Sequence, residues 1–357
     1  MPRLAYYPYF RFSFKNAFVS SSIDPNNLIT LFSEPKKIVI TTHKNPDADA
    51  MGSSLGLYNY LISKGHTVNV VTPNSYPHFL HWMPGNETVT VFNKQTDKAK
   101  QLIADAQIIF SLDYNNLSRI EDAGKEIEKT KAVKIMIDHH IEPAPYPDYT
   151  FSDTEKSSTS EMIYDFISFL GDKKSINKTI GECLYAGILT DTGSFRFPST
   201  RPSTHRIVAD LMELGVNHTS VYNSIHNTYT EDRLRLLGYC LFEKLKFIKE
   251  YKAGYIALSK EELKRFNFQA GDTEGFVNYT LSVAGIRLAA LFTEQEGIIR
   301  VSLRSEGDID VNKMARAHFN GGGHANAAGG RSDDSLETTT KRFEEILPLY
   351  KDILTKN

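Results

Sequence analysis

The sequence predicts an α/β protein of two parts, a parallel-sheet N-terminal domain followed by a smaller α/β C-terminal domain. Three features lead to that class. From Lys37 onward, short β-rich apolar runs alternate with helical stretches, the pattern of parallel strands joined by crossover helices. The runs at Ile108–Leu112 and Ala132–Ile137 carry apolar residues on both faces, as buried parallel strands do. Acids and histidines then follow the carboxyl ends of three runs, the edge at which open α/β sheets hold ligands.

In chain order, residues 1–30 read as an N-terminal extension. The first 23 residues hold Arg3, Arg11 and Lys15, many aromatics and no acid before Asp24. An acid-poor basic leader resembles a targeting segment, but this one lacks the continuous apolar core of a secretory signal. Residues 31–230 form the first domain. Ile38–Thr42 is its first strand, then comes a helix from Ala50 to Lys64 that Gly65 stops, then strands at His66–Thr72, Ile108–Leu112 and Ala132–Ile137. Ser158 and Glu161 have the spacing of a capping box ahead of an apolar-periodic helix, with phosphate contact as the alternative. Residues 231–250 predict a connector helix, because apolar residues recur at near-helical spacing from Glu231 to Lys249. Residues 251–357 form the second domain. It holds strands at Gly254–Leu258, Arg287–Phe292 and Ile298–Leu303, a helix from Val311 to Phe319, and a Gly-rich loop from Asn320 to Gly330.

Bulk properties narrow the function. The 357 residues suit two domains with ample interior. Lys and Arg total 41 against 43 Asp and Glu, a net charge of −2, so no global positive field draws the chain to long nucleic acid. Cys183 and Cys240, the two cysteines, lie in apolar contexts and fit buried residues of a reducing cytoplasm better than a disulfide framework or a cysteine-ligated zinc site. No apolar run approaches the ~20 residues that span a bilayer. The expectation is a cytoplasmic protein.

The chemistry rests on eight residues. His43, Asp47 and Asp49 fall within seven residues at a strand-to-helix turn, so one short loop aims an imidazole and two carboxylates into a single pocket. Oxygen and imidazole donors without thiolate suit manganese or magnesium, with cobalt or zinc also compatible. The plain alternative is a solvated turn in which Asp47 or Asp49 caps the helix. Asp113 follows IIFSL, Asp138-His139-His140 follows AVKIMI, and Asp191 sits in GILTDTGSFRF; each alone also reads as turn or cap chemistry. Together, five acids and three histidines from four segments gather more negative charge than a protein collects without cations, since neighbouring carboxylates raise each other's pKa. Two divalent ions ~3.5–4 Å apart, bridged by a carboxylate, resolve this and suit in-line displacement at phosphorus.

The order His-x-x-x-Asp-x-Asp, isolated Asp, Asp-His-His, and a later Asp in Thr-Asp-Thr-Gly resembles the DHH phosphoesterases, from about Lys37 to Arg331. GGGHANAAGG resembles the Gly-rich signature of the DHH-associated substrate-binding domain, in the branch of oligoribonucleases and 3′-phosphoadenosine-5′-phosphate phosphatases. The resemblance implies two divalent ions, manganese foremost, with magnesium or cobalt suited. His43 and Asp47 would hold one, Asp49, His139 and Asp191 the other, and Asp113 would bridge. His140 would face the scissile phosphate, as an acid or as an electrostatic stabiliser, with Asp138 orienting the histidines. Ala48 stands where many relatives carry Gly.

Gly321, Gly322 and Gly323 would let backbone N–H groups approach an anion, with His324 adding a hydrogen bond; a helix cap and tight turn is the alternative. Arg304 is the best partner for a terminal phosphate; Arg287 and Arg331 read as surface charges. Arg196 lies close to Asp191 in sequence and is a candidate to meet the reacting phosphate, whereas Arg201, His205 and Arg206 read as a solvated helix start. The expected activity is hydrolysis of short oligonucleotides or phosphonucleotides, with no long duplex and no membrane as partner, and a homodimer admitted. Manganese inorganic pyrophosphatase, single-strand exonuclease and a non-catalytic nucleotide sensor are the alternatives.

Overall fold

A computed structural model describes residues 25–295 and 297–356; the basic leader before Asp24 lies outside the described residues. The chain divides into two compact units, Met1–Asn227 and Thr228–Asn357.

In the N-terminal unit, β1 (Lys37–Thr42), β2 (Thr67–Thr72), β3 (Thr90–Val91), β4 (Ile108–Leu112), β5 (Val133–Asp138) and β6 (Tyr149–Ser152) form a six-stranded sheet in the order β3-β2-β1-β4-β5-β6. Every pairing is parallel. The helices are α1 (Pro25–Leu31), α2 (Ala48–Ser63), α3 (Thr96–Asp105), α4 (Asp122–Glu128), α5 (Thr159–Phe169), α6 (Lys178–Asp191), α7 (Pro202–Glu213) and α8 (His218–His226). Period-2 alternation explains the two cores. Ile38, Ile40, Phe110 and Leu112 pack with Met51 and Leu55 of α2, Phe166 of α5 and Leu184 of α6. Val39 and Ile109 point the other way, onto Ala99 and Ile103 of α3 and Ile127 of α4. Helices on both faces are the reason the inner strands read as unbroken apolar runs. Strand order reverses between β1 and β4, and such a switch point opens a crevice at the carboxyl ends.

The four expected strands are present, with shifts of one residue at some ends. The helix after β1 starts at Ala48, not Ala50, because the Asp47 carboxylate caps it. Its far end comes at Ser63, and Gly65 takes φ +85, a conformation a side chain would strain.

The C-terminal unit holds β7 (Lys246–Ile248), β8 (Ala253–Leu258), β9 (Leu288–Gln295), β10 (Ile298–Ser305), β11 (Gly322–His324) and β12 (Ala327–Ser332), in the order β11-β12-β10-β9-β8-β7. Its helices are α9 (Glu231–Tyr239), α10 (Lys260–Arg265), α11 (Phe276–Leu281), α12 (Val311–His318), α13 (Leu336–Ile346) and α14 (Lys351–Thr355). Leu288, Phe292, Val301 and Leu303 pack on Met314 of α12 and Phe343 of α13. Ile256, Ala289 and Leu291 face Leu236 of α9 and Phe276 of α11.

Two expectations change here. The helix predicted over Glu231–Lys249 stops at Tyr239, passes through a π turn at Cys240–Lys244, and gives way to β7. Lys246–Ile248 gains a ladder with Ala253–Tyr255, and that tertiary pairing outweighs helical patterning. The Gly-rich loop is a hairpin: β11 and β12 pair from Gly322 opposite Gly329 to His324 opposite Ala327. A Cβ on Gly321 would fall 2.0 Å from the Gly329 carbonyl oxygen, so close backbone approach is what demands glycine there.

Candidate active site

The switch point collects the candidate residues. His43 follows β1, Asp47 caps α2 and Asp49 lies in its first turn, Asp113 follows β4, Asp138 ends β5 with His139 and His140 next, and Asp191 ends α6. His43, Asp49, Asp113, Asp138, His139 and His140 are all buried. Two triads emerge whose ligand atoms lie within 4.8 Å of one another: His43, Asp47 and Asp113, and Asp49, His139 and Asp191. Asp113 faces both. Its Oδ2 is 3.3 Å from His43 Nε2 and its Oδ1 is 3.4 Å from His139 Nε2. A left-handed backbone at Asp113, φ +62, turns the carboxylate into this position, a strained choice typical of functional sites. Around the second triad, His139 Nε2 lies 3.4 Å from Asp191 Oδ2 and 3.9 Å from Asp49 Oδ2.

The histidines are oriented from behind. His43 Nδ1 is 2.9 Å from the Lys44 carbonyl and His139 Nδ1 is 3.3 Å from the Lys156 carbonyl, which turns each Nε2 toward the acids. His140 Nδ1 sits 2.7 Å from Asp138 Oδ1. That is the carboxylate–histidine pairing by which outer groups set an imidazole's tautomer.

The electrostatics have the signature of a site that gathers charge. Burial and the Asp113 charge push the Asp49 carboxyl up to about 7. Burial and the Asp49 charge also raise Asp191 well above the carboxylate range. Burial opposes a charged His43, yet the Asp113 hydrogen bond and the Asp47 charge outweigh it and raise the imidazole to about 9. Burial likewise opposes ionisation of Asp113, but hydrogen bonds from His139 and His43 hold it well below its usual range. Imidazole and carboxylate donors, converging in triads, with no thiolate, suit hard or borderline divalent metals.

Thr159 and Ser160 were missed in the sequence. The α5 N-terminus grips Asp49, with Thr159 N donating to Oδ2 at 2.7 Å and Ser160 N to Oδ1 at 2.8 Å. Thr159 Oγ1 also donates to Asp113 Oδ1 at 3.0 Å. The expected capping box is half present. Ser158 Oγ accepts from Glu161 N, but the Glu161 carboxylate accepts from Ser157 and Thr204. The SSTSE string itself was the signal, and capping was only part of its use.

Arg304, Gly321, Gly322, Gly323 and His324 belong to the C-terminal unit. Arg304 on β10 lies opposite Ala327, which lies opposite His324 on β11. Cross-strand partners share a face, so guanidinium and imidazole flank one small residue. Gly321 N bonds the Ala315 carbonyl and Gly323 N bonds Asn312 Oδ1, so these two amides serve the fold and are not an open anion cradle. Arg287 donates to the Ile353 carbonyl of α14 at 2.7 Å and pairs with Asp308, in the loop after β10, at 2.8 Å. Arg196 lies over the Phe197 ring. Arg201, His205 and Arg206 are exposed at the start of α7.

Residues 37–188 match the model of the DHH family N-terminal domain, and residues 252–356 match that of the DHHA1 domain. The bifunctional oligoribonuclease and PAP phosphatase NrnA of Bacillus subtilis is 30% identical over 85% of this chain and 91% of its own length. The chain belongs to the DHH family. As a DHH phosphoesterase it also resembles, at 40% identity and TM-score 0.89, the crystal structure of an exopolyphosphatase-related protein from Bacteroides fragilis, over 93% of this chain and 97% of that one. Exonuclease RecJ bound to manganese shares the DHH fold at 13% identity and TM-score 0.50, over 91% of this chain and 94% of that one. Among the described residues no helix is long and apolar enough to cross a membrane.

Proposed function

We propose that this DHH phosphoesterase uses two divalent cations to hydrolyse phosphoester bonds of short oligonucleotides and of 3′-phosphoadenosine-5′-phosphate. The observation that carries this reading is the carboxylate of Asp113, which turns one oxygen toward each triad. His43 and Asp47 would hold one cation and Asp49, His139 and Asp191 the other, with Asp113 shared between them. When bound, such a pair, with manganese foremost and magnesium or cobalt suited, would activate the attacking water and offset charge on the phosphoryl group. His140, its Nδ1 bonded to Asp138, faces the scissile phosphate as an acid or as an electrostatic stabiliser. Asp138 holds that ring in place by its Oδ1.

In the C-terminal unit, Arg304 and His324 bind a terminal phosphate; a guanidinium grips two oxygens at once. The net charge of −2 supports short substrates over long strands, which call for a basic groove. Buried, free Cys183 and Cys240 support a reducing, cytoplasmic setting. The test is to strip the protein of metal, restore manganese, and offer a 5′-phosphorylated dinucleotide, 3′-phosphoadenosine-5′-phosphate, pyrophosphate and a long single strand. Turnover of the first two is expected. Preference for pyrophosphate or the long strand would overturn the reading.

A further inference from the structure

Six consecutive residues, Lys156 to Glu161, touch three of the six residues assigned to the cations. The Lys156 carbonyl meets His139 Nδ1 at 3.3 Å. The Thr159 and Ser160 amides hold both oxygens of Asp49, at 2.7 and 2.8 Å. The Thr159 hydroxyl donates to Asp113 Oδ1 at 3.0 Å. None of these groups is itself a ligand, yet they fix the rotation of two carboxylates and one imidazole.

Thr159 is the most consequential. Asp113 Oδ1, which accepts its hydroxyl, is also the oxygen 3.4 Å from His139, while Oδ2 lies 3.3 Å from His43. Pinning Oδ1 therefore leaves Oδ2 aimed at the first triad. The segment is clamped in turn by Glu161, 1% exposed. Its carboxylate accepts from Ser157 Oγ at 2.6 Å, Thr204 Oγ1 at 2.9 Å and Lys156 Nζ at 3.1 Å. Lys156 is further tied to Asp165 at 2.5 Å. Four chain segments thus converge to hold a short turn that a helix cap alone would not need.

We infer that Thr159 and Glu161 are positioning residues of the two-cation site: Thr159 sets the bridging orientation of Asp113, and Glu161 holds the turn that carries Thr159. The inference rests on the ligand assignment proposed above. Outer groups of this kind change metal affinity or activity by about 10–100-fold when removed.

The test uses the full chain. Thr159→Val keeps the side-chain shape and removes the O–H; Thr159→Ser keeps the O–H; Glu161→Gln keeps volume and removes the charge. Mn2+ binding is followed by the spectroscopic signal of the free ion, beside kcat, KM and a thermal melt. In Thr159→Val the weaker of two Mn2+ ions should bind about 10–100-fold less tightly, with kcat recovering in excess Mn2+ and KM for the dinucleotide unmoved. Thr159→Ser should restore the isotherm, and Glu161→Gln should weaken the same ion. A wild-type isotherm in Thr159→Val, or equal loss in Thr159→Ser, would overturn the role of Thr159. A lowered melting temperature with an unmoved isotherm in Glu161→Gln would make Glu161 merely structural. Wild-type protein that binds fewer than two ions would overturn the ligand assignment and this inference together, whereas two ions bound alike by wild type and variants would overturn this inference alone.

Discussion

Gly187→Ala separates the packing of the site from its chemistry. Gly187 lies within α6, where a Cβ would fall 2.0 Å from Ser160 Oγ, 2.6 Å from Asp49 Oδ1 and 2.8 Å from Ser160 Cβ. Real Cβ contacts do not go below 3.0 Å, so α6, α5 or Asp49 must move by about 1 Å. Rotating the serine hydroxyl does not suffice, because Ser160 Cβ and the amide-held Asp49 remain in the way. Overpacking costs ~1–3 kcal/mol, and the better helix propensity of alanine returns ~1 kcal/mol. The net loss, ~0–2 kcal/mol, lowers the melting temperature by at most about 8 °C at about 2–4 °C per kcal/mol. Activity is far more sensitive. Asp191 ends the same helix, and a displacement of about 1 Å in a reacting constellation costs about 10²-fold. The expected signature is a modest shift in the melt with kcat/KM down about 10²-fold. Gly238→Ala, at an exposed position of α9 with nothing within 4 Å of its Cβ, is the matched control and should keep full turnover. Wild-type kcat/KM in Gly187→Ala would refute the reasoning.

Three further perturbations probe the same site. Asp113→Ala should abolish turnover and reduce Mn2+ stoichiometry, since a bridging carboxylate cannot be lost from one ion alone; near-normal kcat would contradict the bridge. Metal-free stability should fall as pH rises. Asp49 goes from 3.8 to about 7 and His43 from 6.5 to about 9 on folding, so the folded chain binds more protons than the unfolded one between about pH 4 and about pH 9. Asp113 stays ionised throughout that window and adds nothing. Cations need the ionised carboxylate and neutral imidazole, so Mn2+ affinity should climb over the same range; a flat melting temperature or a pH-independent isotherm would count against this. Arg304→Ala should raise KM for a 5′-phosphorylated dinucleotide about tenfold or more, the loss of a charged hydrogen-bond pair, and an effect confined to kcat would exclude terminal-phosphate binding.

The inner strands were legible because burial on both faces forces continuous apolar runs, and β4 is buried at all five positions. The same constraint placed Asp113 and Asp138 at strand ends. Edge strands carry no such signal. Thr90–Val91 is two residues long and exists through its pairing with β2, and Tyr149–Ser152 follows a Pro-rich stretch that reads as loop. β7 was hidden for a different reason. Its residues continue a helical pattern, yet Phe242 is left 87% exposed, so the apolar periodicity did not correspond to one buried face. In the Gly-rich stretch, the sequence shows that glycine is needed but not whether ligand or backbone approaches; at Gly321 and Gly330 it is backbone.

The harder ambiguity was between cap and ligand, and it dissolves once the two oxygens of a carboxylate are counted separately. Asp47 accepts from Asp49 N and Ala50 N through Oδ1, both at 3.0 Å, while Oδ2 stands 3.8 Å from His43 Nε2. One side chain therefore starts α2 and faces the first triad. Ser158 and Glu161 divide their roles in the same way: the serine caps α5, and the glutamate clamps the turn whose amides hold Asp49. A helix N-terminus favours negative charge, and the amides that open α2 and α5 hold Asp47 and Asp49 in place. The motif residues that look like ordinary helix punctuation are, for that reason, where the site's rigidity originates.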